Sequence, residues 1–210
     1  GSTAPLWVID GVIVGKDPGD INPNDIESLT VLKDAASTAI YGSQGANGVI
    51  VVTTKSARAG KTSITFSAKM GLSTLNNGKV KMMDGAELYD YYKSFTNAAE
   101  IAFPRWNEQL RDSNFDWWKL ATHTGNVQNY DLTITSGGDK LSAVFTGGVY
   151  KEDGAVRGYD FTRYNTMMKL NFKPFSWIAI RPSLNGSKGV IDDRQRSTYS
   201  MYSMLPWDSP

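Results

Sequence analysis

Few residues in this 210-residue chain are typed and spaced for chemistry. The only histidine, His123, has no cysteine partner and no HExxH context, so it offers neither a zinc site nor an acid–base pair. Asp17, Asp20 and Asp25 share the run DPGDINPND, but their spacing fits no EF-hand loop, and turn and capping roles suit them better. GSQGANG (42–48) and Gly60-Lys61-Thr62 invite a phosphate-binding reading. It fails three times. Lys55 stands where a P-loop needs its first glycine, Ile64 to Leu72 alternate like a strand where a helix is required, and GSQGANG precedes its strand where a dinucleotide fingerprint follows one. With no nucleophile motif and no recognisable carboxylate pair, no catalytic, cofactor-binding or metal-binding residue is assigned, and the chain is not read as an enzyme. Trp106, Trp117 and Trp118 remain. Their rings could stack on sugars or cap hydrophobic cargo, or could anchor a long loop that needs its own small core.

The surrounding elements narrow the class. Net charge is +1, from 22 basic and 21 acidic residues, which exerts no strong pull on nucleic acid or anionic lipid. Cysteine is absent, which excludes disulfides without fixing a compartment. No apolar run reaches the roughly 18 residues of a membrane helix, a test that is silent on membrane β-barrels. Twenty glycines with 6 Trp, 10 Tyr and 8 Phe suit a β-rich protein. Leu6 to Ile9 and Val12 to Val14 read as short strands joined through Asp10-Gly11, a pair that accepts positive φ. Asn22-Pro23 reads as a capped helix start, Glu27 to Leu32 as a strand, and Asp34 as a cap for a short helix over Ala35, Ala36, Ala39 and Ile40. Gly42, Gly45 and Gly48 break that helix before Val49 to Thr54, a β-branched run of the kind buried on both faces. Ser56 to Lys61 is a polar linker.

PLWVIDGV (5–12) and NPNDIESLTVLKDAASTAIYGSQGANGVIVVTTK (22–55) together resemble the C-terminal half of the plug domain of TonB-dependent outer-membrane transporters. More narrowly they resemble the SusC/RagA-like branch from Bacteroidetes, in which these motifs recur as one ordered block. Gln44 stands where an arginine is common in that block, and Trp7 where a tyrosine is common.

From Thr62 the texture changes to period two. Ile64, Phe66, Ala68, Met70 and Leu72 share one face against Thr65, Ser67 and Lys69. Tyr130, Leu132 and Ile134 oppose Asp131 and Thr133; Leu141, Ala143, Phe145 and Val149 share a face; Tyr164, Met168, Leu170 and Phe172 oppose Asn165, Lys169 and Asn171; Ile178, Ile180 and Leu184 oppose Ser176, Arg181 and Ser183. Each segment runs about nine to eleven residues, the length that crosses a tilted bilayer span. Tight links at 136–139 and 173–175 alternate with a longer link at 151–163 and a very long one at 76–128, as turns and loops alternate in outer-membrane barrels. Leu88, Tyr91, Tyr92 and Phe95 predict a helix within the longest link, and the stretch from Ser187 reads as the start of another loop. Periodicity alone fits a soluble carbohydrate-binding β-sandwich using Trp106, Trp117 and Trp118 equally well, which would be soluble without detergent. The resemblance decides for the barrel.

The resemblance implies a mainly β fold: a small α+β plug inside a large antiparallel transmembrane β-barrel, of which about five strands are present out of about 22. Residues 1–58 are expected to be the end of the plug and 59–210 the first barrel strands and their extracellular loops, a piece truncated at both ends. It also implies residence in the outer membrane and active import of large nutrients, glycans or oligopeptides. The implied partners are a SusD-like surface lipoprotein, outer-membrane lipid, and TonB acting through N-terminal parts outside this sequence; no nucleic acid and no cofactor are implied. Lys69, Asp131, Lys169 and Arg181, with Thr65 and Thr133, are then the candidate lumen contacts between plug and barrel.

Overall fold

The computed structural model describes residues 4–18, 21–57, 62–95, 111–195 and 197–208. Two sheets account for most of them. The smaller has the order β2-β1-β4-β3, built from β1 (Leu6–Ile9), β2 (Val12–Gly15), β3 (Ile26–Leu32) and β4 (Val49–Thr54). Asp10 and Gly11, at φ 51° and 84°, turn β1 into β2 as an antiparallel hairpin. Both residues occupy the left-handed region that a two-residue turn of this hand demands. Asn22 caps a single 3-10 turn at Pro23–Asp25. Helix α1 (Ala35–Thr38) and a 3-10 stretch over Ala39–Gly45 lead back to β4, which lies parallel to β1 and antiparallel to β3. Gly48, at φ 94°, makes the entry into β4, and a side chain there would also crowd Leu32 O at 3.2 Å. Val49 and Val52 point to opposite faces of β4 and are both 0% exposed, as the β-branched run demands. Leu6, Val8 and Val49 form the core, with Leu32, Tyr41 and Val51 packed against it.

The larger sheet has the order β10-β8-β7-β6-β5, from β5 (Ser63–Ser73), β6 (Gly125–Gly137), β7 (Leu141–Asp153), β8 (Tyr159–Phe175) and β10 (Ser183–Asp193). A short β9 (Ile178–Ile180) also pairs with β8 and is separated from β10 by Arg181-Pro182. Three helices lie in the connections and at the end: α2 (Gly85–Phe95), α3 (Trp117–Ala121) and α4 (Thr198–Ser203). The fold is mainly β, with a small plug-like sheet and no closed barrel in the described residues.

Strand bounds differ from those read in the sequence. β7 and β8 run 13 and 17 residues, so the link between them shrinks to 154–158, and β10 continues past Ser187 to Asp193. The cause is that ladder hydrogen bonds belong to the backbone, so pairing continues through polar residues such as Lys151 and Asp160 after apolar alternation has ended. The boundary expected at residue 58 falls among 58–61, outside the described residues.

The chain divides into two compact units. The first contains the residues up to 70 with 128–151 and 162–190; the second contains 71–127, 152–161 and 191 onward. In the first, one side of the larger sheet is apolar and exposed, with Ile64, Phe66, Leu141, Phe145 and Met168 among its side chains. Phe175 and Trp177 stack at a strand end, ring centroids 5.8 Å apart and both exposed. On the opposite side Asp131, Ser142, Val144, Thr146 and Met167 are buried.

Candidate functional site

The first unit holds a polar interface between the smaller sheet and the buried side of the larger one. At one end stands Asp10. Its φ of 51° aims the carboxylate back along β4, where Oδ1 accepts from the Thr54 N–H at 2.9 Å and Oδ2 from the Thr54 hydroxyl at 2.8 Å. Lys169 of β8 brings its Nζ to 2.7 Å from the same Oδ2 and donates to Thr54 O at 3.3 Å. Burial pushes the Asp10 carboxyl up, but the Lys169 ammonium and the Thr54 donors outweigh it and hold the group below the ordinary 3.8. Both side chains are about one-fifth exposed, so the pair is only moderately screened by water.

At the other end the Asn22 cap performs two tasks. Its Oδ1 accepts from Asn24 N at 3.1 Å, closing the turn, and its Nδ2 donates to Asp131 Oδ1 of β6 at 2.9 Å. The Asn24 amide donates to the second oxygen, Asp131 Oδ2, at 2.5 Å, and the Lys69 ammonium of β5 lies 3.4 Å from Asn24 Oδ1. Asp131 is 8% exposed, and both its oxygens accept a hydrogen bond, which offsets the cost of burying a carboxylate. Next to it Asp25 is buried too, its main-chain O accepting from Lys55 N at 2.8 Å. Burial pushes the Asp25 carboxyl up and outweighs the Thr146 hydroxyl, which pulls it down; the nearby Asp131 carboxylate adds to the rise, against smaller opposing effects of Lys55 and Lys169.

Of the candidate contacts, Asp131 and Lys169 thus meet the smaller sheet at hydrogen-bond distance and Lys69 lies at the limit. Arg181 is exposed and lines a cleft of about 670 Å³ with Asp10, Val12, Ser142, Lys169 and Asn171. Thr65 is exposed and Thr133 half-buried. On the smaller sheet's side, the sequence marks Asp10 only as a turn former and Asn22 only as a cap, and it assigns no role to Asn24. Two amides two positions apart, Asn22 and Asn24, are the available sign of a forked grip on a carboxylate. The buried side also carries Val144 and Met167, so it is not purely polar.

Trp117 donates its indole N–H to Leu205 O at 2.9 Å and meets the Phe115 ring edge-on, while Trp118 packs on Tyr202 with centroids 5.6 Å apart. These contacts tie α3 to the segment around α4, the anchoring role that a long loop requires. Trp106 lies outside the described residues. His123 Nε2 faces both Asp153 oxygens at 3.1 Å, and its main-chain N–H donates to Ala155 O at 3.0 Å, joining the approach to β6 to the β7–β8 link. Among the described residues no cluster of metal-binding side chains occurs.

Residues 1–49 match the family described as the TonB-dependent Receptor Plug Domain. TonB-dependent receptor P26 of Formosa agariphila is 36% identical over 78% of this chain, and TonB-dependent receptor SusC of Bacteroides thetaiotaomicron is 30% identical over 80% of it. The chain spans 17% of the length of each. A structure described as the RagAB peptide transporter superposes with a TM-score of 0.80 at 27% identity, covering 98% of this chain and 27% of that one. A structure of the RagAB peptide importer in its open-open state gives a TM-score of 0.75 at 28% identity over 90% of this chain and 24% of that one. The chain therefore resembles SusC/RagA-like TonB-dependent receptors in sequence and in fold, across both sheets.

Proposed function

We propose that this chain is the end of the plug, to about residue 58, and the first barrel strands of a TonB-dependent receptor of the SusC/RagA-like kind, working within a longer polypeptide in the outer membrane. The complete transporter imports large nutrients, oligopeptides or glycans. A SusD-like lipoprotein covers its outer mouth, and TonB pulls on the plug to open a path. The plug is the smaller sheet and the wall is the larger one.

The observation that carries this reading is the polar interface. The plug is tied to the wall at two points, Asp10 to Lys169 and the Asn22–Asn24 fork to Asp131. The wall's other side is apolar and exposed, as lipid contact requires. Hydrogen bonds and ion pairs suit a part that must move. Water entering the gap replaces each of them, so the net cost per charge-assisted bond is only about 1.5–3 kcal/mol, and little apolar surface is uncovered. Lys69 and Arg181 extend the same polar lining along β5 and the β9–β10 junction.

The experiment is fractionation of the native cells followed by purification in mild detergent and mass analysis of the co-purifying proteins. The expected result is this sequence in the outer membrane, inside a longer polypeptide and beside a surface lipoprotein. Recovery of a folded 23 kDa species from the soluble fraction sinks the reading.

A further inference from the structure

The middle of β7 carries two adjacent glycines, Gly147 and Gly148, where a glycine in a strand interior weakens the strand and often marks a close approach by something else. The two differ. A Cβ at Gly147 would meet only the Phe145 ring, at 3.7 Å. A Cβ at Gly148 would lie 2.6 Å from Asp131 Oδ1, 2.8 Å from Asn165 Oδ1 and 3.0 Å from Asn165 Nδ2, closer than carbon and oxygen can approach. Gly148 has ordinary strand geometry, so no left-handed backbone explains the choice of residue. The space is taken by the Asn165 amide and by the Asp131 carboxylate, which from there reaches Asn22 and Asn24.

We infer that Gly148 is a positioning residue for plug retention: by leaving the face of β7 bare, it lets Asp131 of β6 stand where the Asn22–Asn24 fork can grip it. This rests on the reading of the two sheets as plug and wall. The three atoms nearest a methyl group at 148 are the ends of two side chains, so the wall accommodates it by swinging the Asp131 carboxylate and the Asn165 amide aside. The β7 ladder survives and the grip on the plug is lost.

The test uses the complete transporter in its outer membrane, with entry of a large glycopeptide antibiotic as the readout of plug release and heat-modifiable gel mobility as the check on barrel folding. Gly148→Ala is expected to raise antibiotic entry at least about tenfold with mobility unchanged, since two charge-assisted hydrogen bonds are lost. Gly147→Ala is expected to match the native protein. Adding Gly148→Ala to Asp131→Ala is expected to change nothing further. If Gly148→Ala fails to assemble, an Asp131→Ala, Asn165→Ala background is expected to restore assembly, because it removes both side chains that the methyl group would meet. Failure to restore it overturns the inference, and so does equal leakage from both glycine variants. Native exclusion by Gly148→Ala while Asp131→Ala leaks overturns it and leaves the plug contact standing. Native exclusion by Asp131→Ala overturns that contact itself.

Discussion

Asp10 and Lys169 stand 2.7 Å apart although 159 positions separate them, and Asp10 reaches the ammonium from a left-handed turn that also points its carboxylate at Thr54. One side chain therefore closes a hairpin, fastens the end of β4 and joins the smaller sheet to the larger one.

Lys169→Met keeps the length of the side chain and removes the charge. It is expected to weaken plug retention by about 1–3 kcal/mol, with Asp10→Asn costing a similar amount because the Thr54 donors then face a poorer acceptor. In a double-mutant cycle the two losses are expected to add to less than their sum. Plain additivity in antibiotic entry would dissolve the link.

Asp25 supplies a pH dependence of known sign. Its carboxyl titrates above the ordinary 3.8 when buried, so protonation favours the folded, seated state. Its contribution is fully present at low pH and is lost as pH rises above 3.8 through the raised value. Asp25→Asn is accordingly expected to stabilise the seated plug at neutral pH and to flatten the profile above 3.8. A variant whose stability profile parallels the native one would remove Asp25 from the account. Asp10 has the opposite sign: its pairing is present above 3.8 and lost as pH falls below it.

Gly48→Ala places a side chain at φ 94° and 3.2 Å from Leu32 O. The expected cost is about 1–3 kcal/mol of plug stability, from the backbone conformation. Protease cutting within 26–54 while the wall remains intact would register it.

The two sides of β5 differ in the same way. Phe66→Lys puts a charge on the apolar side, at an expected cost of about 2–4 kcal/mol if the site lies near the bilayer midplane, and should reduce heat-modifiable barrel in the membrane. Thr65→Lys, one residue away on the polar side, should assemble normally. The reverse pattern would mean that the sides have been exchanged.

The sequence by itself determined the local chemistry. The β-branched run of Val49 to Thr54 could only be a buried strand, Asp10-Gly11 a tight turn, Asn22 a cap, and period two from Ile64 onward a sheet with one apolar side, because each follows from sterics and hydrogen bonding over a few residues. It also separated Asp131 and Lys169 from their apolar neighbours, since alternation assigns sides without knowledge of the partner. What it left open was which residues those two would meet. Asn24 is marked only by its spacing from Asn22, which names no partner, and the crowding beside Gly148 exists only because β6, β7 and β8 align Asp131, Gly148 and Asn165 across three strands. Strand ends were equally out of reach, because a backbone ladder continues wherever a neighbouring strand continues. Tertiary structure decided these because register across distant segments is set by the whole sheet, and no short window of residues carries it.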